Sequence, residues 1–135
     1  MDRDWHERHL LAAQIHELVD NGEFADTYAG LVIDPENNRV LVYRVPGHAA
    51  AFDEAVRSFS DARVHLMDAR HAHAELEDLK GKIGQDVRIR WSTLGVKGDG
   101  SAVVVGVRTE HERRRVTDLL AGQPVVIRLS NPVLL

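Results

Sequence analysis

The 135-residue chain has the length of one ordinary domain, or of two very small domains that share a core. Its composition, with 44% hydrophobic and 28% charged residues, is typical of a folded globular protein and argues against a disordered one. A net charge of −4 argues against nonspecific nucleic-acid binding, and the lack of cysteine excludes disulfides, thiolate metal sites and thiol nucleophiles.

An N-terminal helix is predicted within residues 1–23. Its apolar residues recur with the spacing of one helix face, and Gly22 accepts the left-handed conformation that a helix cap needs. The apolar stripe consists of Leu11, Ile15, Leu18 and Val19.

Residues 24–69 predict a first β-β-α-β unit. The runs "GLVI" and "VLVYRV" read as two strands around "DPENN", whose proline and asparagines are typical of a turn. A helix follows over residues 49–59 with Phe52 and Val56 on one face, and residues 63–67 supply the third strand.

The second half of the chain predicts a connecting helix over residues 70–86 and a second β-β-α-β unit over residues 87–135. This unit has a strand at 87–96, the turn "KGDG", the strand "AVVVGV", a helix and the closing strand "VVIRL". Aligning Leu31-Val32-Ile33 with Leu94-Gly95-Val96 brings the elements of the two units into step, so the chain carries an internal repeat.

The predicted fold class is α+β, with an N-terminal helix followed by two β-β-α-β units that a helix joins. Each unit is predicted to form a small antiparallel sheet with helices packed on one face. Such a sheet buries little area, so we expect the units and the linking helices to stabilise each other. The aromatic side chains of Tyr28 and Trp91 are expected in the core, with a role as contact residues as the alternative.

The sequence marks no catalytic or metal site, and we predict a protein that is not an enzyme and has no cofactor. The eight histidines are not placed with acidic residues so as to complete a tetrahedral metal shell. No serine lies in a Gly-x-Ser-x-Gly elbow, and "KGDGS" precedes a strand instead of the helix of a phosphate loop. The arginines of "ERRRV" point in different directions on a helix and form no single patch.

No segment of the sequence predicts a membrane span or an export signal. No apolar run approaches the roughly 20 residues that cross a bilayer. The N-terminus, "MDRDWHERHLLAAQIHELVD", is too charged for the apolar part of a signal peptide. The chain as it stands therefore predicts a cytoplasmic protein, or a secreted or cell-envelope protein if an upstream export signal has been removed.

Two phrases of the sequence, "YAGLVIDPENNRVLV" and "ARVHLMDARHAHAELEDLKGKI", resemble the pro-region of bacterial serine proteases of the α-lytic protease and streptogrisin class. The similarity covers roughly residues 24–129, and "LGVKGDGSAVVVGV" looks like the second subdomain of that pro-region. The residues that carry the resemblance are Ala29, Gly30, Ile33, Asp34, Val40, Val42, Leu76 and Leu79.

The resemblance implies two α/β subdomains and a role as folding chaperone and tight inhibitor of a protease. Such pro-regions pair a sheet edge with a protease hairpin and place their C-terminal tail in the active-site cleft. This chain departs from the family because no protease follows Leu135 and the expected signal peptide is absent, which predicts a stand-alone relative or a fragment of something longer.

The C-terminal segment is the candidate partner-binding site. It is apolar and contains a proline, as a cleft-binding tail would, and it is equally compatible with the end of a strand packed on the core. The segment consists of Asn131, Pro132, Val133, Leu134 and Leu135.

Three functions stay open at this point. The first hypothesis is a non-catalytic module that binds a protein partner, with a serine protease as the candidate, through a sheet edge, the C-terminal segment or both. The alternatives are a small-ligand or regulatory α/β domain and a histidine-dependent or metal-dependent enzyme. An exposed edge strand would also favour a homodimer by strand addition.

Overall fold

A computed structural model describes residues 3–130 of the chain. It contains four helices and six strands among these residues, and it confirms the α+β class with the N-terminal helix first. In chain order the elements are α1 (Arg3–Val19), β1 (Tyr28–Asp34), β2 (Arg39–Arg44), α2 (Ala50–Arg57), β3 (Val64–Asp68), α3 (His73–Gln85), β4 (Thr93–Val96), β5 (Val103–Val107), α4 (Glu110–Leu119) and β6 (Val125–Leu129).

The described residues divide into two compact units. Unit 1 consists of residues 3–74 together with the short segment 98–100. Unit 2 consists of residues 75–97 and 101–130. Each unit contains one sheet of three strands, with the order β1-β2-β3 in unit 1 and β4-β5-β6 in unit 2.

Both sheets are mixed, which corrects the prediction of antiparallel sheets. The hairpin strands are antiparallel, but β3 runs parallel to β2 and β6 runs parallel to β5. The reason is the crossover: α2 and α4 carry the chain back to the starting end of the sheet before the third strand begins. A strand that follows such a helix enters the sheet in the same direction as the strand before the helix.

The strand register supports the internal repeat. Ile33 lies opposite Val40 in the first hairpin, and Val96 lies opposite Val103 in the second. These pairs are related by the same alignment that superimposes Leu31-Val32-Ile33 on Leu94-Gly95-Val96 in the sequence. The two units therefore repeat a hairpin register as well as an order of elements.

The core of unit 1 lies between its sheet and two helices. Val40 and Val42 alternate along β2, so they share one face of the sheet, and both are fully buried. The side chains that complete this cluster come from α1, β1 and α2. They are Leu11, Ile15, Tyr28, Phe52 and Val56.

Unit 1 also buries a charged side chain, that of Arg8 on α1, which is 1% exposed. Its Nη1 donates a hydrogen bond of 2.9 Å to Oδ1 of Asn38 in the β1–β2 turn. Asn38 has φ of +50°, a left-handed conformation that asparagine tolerates better than most residues. Asparagine therefore supplies both the turn geometry and an acceptor for the buried guanidinium.

The core of unit 2 is built in the same way around β5. Val103, Val105 and Val107 alternate along the strand and are fully buried. They pack with α3 and α4 through Leu76, Ile83 and Val116, and with Ile89 from the loop before β4. The helix α4 begins after Thr109, whose hydroxyl accepts a 3.1 Å hydrogen bond from the N–H of Glu112.

Two predictions for the start of the second unit are wrong. The strand predicted over residues 87–96 covers only Thr93–Val96, and Trp91 is 42% exposed instead of lying in the core. Val87 is 96% exposed, whereas Ile89 is buried. The segment before β4 is therefore an irregular turn in which Ile89 packs into the core. Tyr28 is buried as predicted.

The stretch before β4 is held by a local motif, Asp-x-Arg. The Asp86 carboxylate accepts hydrogen bonds from the N–H of Arg88 at 2.9 Å and from its guanidinium at 3.0 and 2.8 Å. Asp61 and Arg63 repeat the arrangement before β3, with distances of 2.9, 2.9 and 2.7 Å. In each motif one aspartate carboxylate accepts hydrogen bonds from the main-chain N–H of the arginine and from its guanidinium, which stabilises the turn.

We expect Gly30→Ala to destabilise the protein by about 3 kcal/mol, because the backbone leaves no room for a methyl group. An added Cβ would lie 2.0 Å from the carbonyl oxygen of Gly98, and Gly30 has φ of +159°. Chemical denaturation checks the free energy of unfolding. Gly81→Ala is the matched control, since no atom lies within 4 Å of its Cβ, and a stabilisation of up to about 1 kcal/mol is expected in a helix. Equal effects of the two substitutions would contradict this account.

We expect Asp86→Asn to lower stability at pH 6 and to lose that effect as the pH approaches 2. The hydrogen bonds from Arg88 lower the pKa of the Asp86 carboxyl to about 2. A carboxyl whose pKa is depressed by folding stabilises the protein above its ordinary pKa of about 3.9, and the stabilisation is lost as pH falls through the folded value. Urea unfolding of both proteins between pH 6 and pH 2 measures the difference. A difference in the free energy of unfolding between the two proteins that widens toward pH 2 would rule out this role of Asp86.

Candidate functional site

The C-terminal segment predicted to bind a partner, from Asn131 to Leu135, lies outside the described residues. The structure does describe where that segment begins, at Ser130 after the end of β6. The candidate site is therefore built from β6, the groove beside it and the contacts of Ser130. We call the outward side of β6 and this groove the β6 edge.

Two serines fix the place where the chain leaves the sheet. Ser130 donates its N–H to the Val107 carbonyl at 2.7 Å, and Ser92 donates its N–H to the Gly106 carbonyl at 2.7 Å. Their hydroxyls are 2.6 Å apart and also bond to these carbonyls, at 3.0 Å for Ser92 and 3.2 Å for Ser130. Ser130, the last described residue, is thus tied to the end of β5.

The sequence analysis missed the Ser92–Ser130 pair. The two residues are 38 positions apart and neither belongs to a periodic apolar pattern. The sequence gives one local indication of this contact, Gly106 in β5, because a glycine within a strand often marks a place where another group approaches the backbone closely. A Cβ at Gly106 would lie 2.1 Å from Oγ1 of Thr93 and 3.4 Å from Cβ of Ser130.

The backbone of β6 offers hydrogen-bonding groups on its outward side. Val103 donates to the carbonyl of Pro124 at 2.9 Å and Ser130 donates to Val107, so the even-numbered residues of β6 face β5. Strand residues alternate in this respect, so the N–H and C=O groups of Ile127 and Leu129 face away from β5. In the sheet of the described residues β6 lies at one edge and pairs with β5, so these two N–H groups lie on its unpaired side.

The side chains along β6 are apolar and partly exposed. Val126 is 37% exposed and Leu129 is 46% exposed, whereas Ile127 packs against the core of unit 2. Arg128 is the one charged residue in the strand. An edge strand with so few charges has little protection against pairing with another strand.

A groove of about 480 Å³ runs beside β6 and is walled by α4. Ile127 contributes from the strand, while Thr117 and Asp118 line the opposite side. Glu110 lies at the helix start and binds Arg113 at 2.6 Å and Arg114 at 3.6 Å. The hydrogen bond from Arg113 lowers the pKa of the Glu110 carboxyl, so this group is ionised near neutral pH.

Two of the three arginines of "ERRRV" share one acidic partner, and the third has another. Arg113 and Arg114 pair with Glu110, while Arg115 pairs with Glu112 at 3.2 Å and donates to the carbonyl of Arg88. Arg114 is the most exposed of the three, with 79% of its side chain accessible. It is therefore the cation in the groove that is most available to a bound molecule.

The third strand of unit 1 has the same hydrogen-bond pattern but charged ends. Val40 donates to the Arg63 carbonyl at 2.8 Å and Ala69 donates to the Arg44 carbonyl at 2.9 Å, which matches β6. At the start of β3, Arg63 binds Glu7 and Asp61 at 2.6 and 2.7 Å. Charges of this kind discourage strand addition, so β6 is the less protected edge.

Three serine hydroxyls and one imidazole of the described residues have identified hydrogen-bond partners. The hydroxyls of Ser58, Ser92 and Ser130 bond to main-chain carbonyls or to each other. The Nδ1–H of His9 donates to the Trp5 carbonyl at 2.8 Å, and the His9 ring stacks on the Trp5 ring. Within residues 3–130 no three His, Asp or Glu side chains lie close enough to hold a metal ion.

The helices of the described chain are also too short or too polar to cross a bilayer.

Comparison with known proteins adds no relative: no protein-family model matches the chain, and no curated protein is significantly similar to it. The resemblance to protease pro-regions therefore rests on the residues quoted from the sequence.

We expect Ser130→Ala to cost about 1 kcal/mol of stability, because two hydrogen bonds of the Ser130 hydroxyl are lost and its partners remain half-buried. The amide at position 130 should also exchange faster with solvent, which hydrogen-exchange NMR measures. Ser58→Ala is the control, since its hydroxyl bonds only to the Ala55 carbonyl on an exposed helix end. Unchanged exchange at position 130 would contradict the role given to this hydroxyl.

Proposed function

We propose that the chain is a non-catalytic module that binds an extended segment of a partner protein along the β6 edge. The observation that carries the proposal is the outward-facing backbone of Ile127 and Leu129 on a strand with one charged residue. An extended segment that adds to this edge would form main-chain hydrogen bonds without a particular sequence. Its alternate side chains would supply the specificity.

The groove beside β6 supports a partner with mixed side chains. Residues of the added strand that point toward α4 would meet Arg114, Asp118 and the methyl groups of Ile127. Residues on the opposite face would lie beside Val126. The charged rim would select the partner and its register, while the backbone bonds and apolar contacts would supply most of the affinity.

The C-terminal segment extends the proposed site. Ser130, which precedes this segment in the chain, is bonded to the Val107 carbonyl at the end of β5, so we propose that a partner bound along β6 also meets the segment. The resemblance to protease pro-regions suggests a serine protease as this partner, with the chain acting as inhibitor or folding chaperone. Both contacts that such pro-regions use, a sheet edge and a tail, would then be adjacent in unit 2.

The proposal that the module is not an enzyme is supported by the hydroxyl contacts. Ser92 and Ser130 use their hydroxyls to fix the chain end, with carbonyls as acceptors. A serine nucleophile needs a neighbouring base that takes its proton. The short distance between these hydroxyls serves the geometry of the strand end, and we assign it no chemical step.

We expect the protein to slow a bacterial chymotrypsin-like protease, and Leu129→Pro to weaken that inhibition about tenfold. Proline removes the outward N–H at position 129 without removing a bond to β5, and one to two lost contacts of this kind correspond to about 1–2 kcal/mol. Hydrolysis of a chromogenic peptide by a panel of such proteases gives the inhibition constants. Recovery of activity by acid-unfolded protease tests the chaperone role.

Asp68→Pro is the matched control for this experiment. Asp68 is the outward-facing residue of β3 that corresponds to Leu129, so the variant removes the same outward N–H on the other sheet, together with the ion pair between Asp68 and Arg44. Inhibition should be unchanged by this control. Equal inhibition by the Leu129→Pro variant and the unmodified protein would exclude the β6 edge. If the unmodified protein neither slows nor refolds any protease of the panel, the protease partner is lost.

A further inference from the structure

Unit 1 contains a groove that the proposed function does not use. It has a volume of about 340 Å³, at the lower end of the range of small-molecule pockets, and lies at the C-terminal end of α1. We call it the aromatic groove. The side chains that line it and that matter here are His16, Val19, Asp20, Phe24, Tyr28 and His73.

Aromatic rings form much of the wall of this groove. Tyr28 and His73 lie with ring centroids 5.9 Å apart, and Phe24 packs edge-on against the buried Phe52 at 5.2 Å. Tyr28 and Phe52 are themselves 6.2 Å apart, so the rings support one another. A wall anchored in the core in this way is already shaped before any ligand arrives, which favours binding.

The groove has a negative charge at its rim. Asp20 follows directly after α1 and donates its N–H to the His16 carbonyl at 3.0 Å, which places its carboxylate at the helix end. The C-terminal end of a helix carries a partial negative charge of about half an electron. The helix end and the carboxylate therefore act together to attract a cation.

The field of Asp20 reaches the aromatic wall. Burial, and to a smaller extent the charge of Asp20, raises the pKa of Tyr28 to about 12. The Tyr28 hydroxyl therefore keeps its proton across the physiological range. It is available as a neutral hydrogen-bonding group beside the carboxylate.

We propose that the aromatic groove binds a small organic ammonium ion, with the ammonium group at the Asp20 carboxylate and its apolar body against Phe24, Tyr28 and His73. Faces of aromatic rings attract cations, and a carboxylate adds a charge-assisted hydrogen bond to a primary ammonium. The combination of rings and one carboxylate matches this chemical class better than a neutral or an anionic molecule. The site is independent of the β6 edge.

Two features of the groove would favour an anion, but their effect is weaker than that of the Asp20 carboxylate and the C-terminal end of α1. His73 and Ala74 begin α3, and the amino end of a helix carries a partial positive charge of about half an electron. His16 and His73 add imidazole rings to the lining. The full charge of Asp20 exceeds the partial charge of the helix end, so the balance favours a cation.

Three probes of nearly equal size and different charge test this proposal: phenethylamine, 2-phenylethanol and phenylacetate. Each is titrated into the protein at about pH 8, and NMR chemical shifts of the Asp20, Phe24 and Tyr28 amides report the dissociation constant and the site. Phenethylamine is expected to bind at least about tenfold more tightly than the other two. Equal binding of the three probes, binding of phenylacetate alone, or no shift at these amides would overturn the proposal.

Asp20→Asn should weaken phenethylamine binding about tenfold and leave 2-phenylethanol unchanged, because only the ammonium ion uses the charge. Asp26→Asn is the matched control, since Asp26 is exposed on the same loop and does not line the groove. The variant Phe24→Leu keeps an apolar side chain and removes a ring from the wall that contacts the apolar body, so it should weaken phenethylamine and 2-phenylethanol alike. Nα-acetyl-lysine amide serves as a further probe, and tighter binding of it than of phenethylamine would overturn the small-molecule assignment in favour of a lysine side chain.

Discussion

The central strand of each unit is the element on which the structure depends. β2 and β5 are hydrogen-bonded on both sides, and their alternate valines are fully buried under helices. A strand in that position satisfies its backbone groups within the sheet, and its side chains fill one continuous core. The remaining strands are placed relative to it, one by a tight hairpin and one by a helical crossover.

This arrangement also determines where each sheet has an edge. The crossover brings the third strand to one side of the central strand, while the hairpin occupies the other side. In a sheet of three strands the third strand then has one unpaired side. In unit 1 the ion pairs of Arg63 and Arg44 flank that strand, whereas in unit 2 the strand ends at Leu129 and is followed by Ser130, which is bonded to Val107. At its third strand the same fold thus gives a charged edge in unit 1 and an apolar edge in unit 2.

Much of the fold was predictable because the apolar periodicity of the chain is strong where elements are buried. The helix stripe of Leu11 and Ile15, the valine strands and the repeat all appear in the structure. Periodicity failed around Trp91, where an Asp-x-Arg turn holds an irregular segment whose apolar residues imitate a strand. It also could not distinguish parallel from antiparallel pairing, because that choice depends on the path of the helix between the strands.

The candidate sites were less accessible to sequence reasoning than the fold. Ser92 and Ser130 meet across a strand, and the walls of the aromatic groove come from α1, the following loop, β1 and the start of α3. Contacts between residues so far apart in the chain leave no local periodic signal. The C-terminal segment was chosen for its composition, and the structure adds the position from which it starts.

The crossover also separates early from late events in folding. The β1–β2 hairpin joins residues that are neighbours in the chain, and hairpins of this size form in about 1–10 μs. Pairing Val40 with Val64 requires closure of a much longer loop. Because this closure costs more chain entropy, the third strand is expected to pair more slowly than the hairpin. During refolding, some chains would therefore have formed their hairpins while their third strands are still unpaired. In such chains one side of β2 and of β5, the apolar central strands, is exposed. At high protein concentration these strands could pair between molecules and cause aggregation.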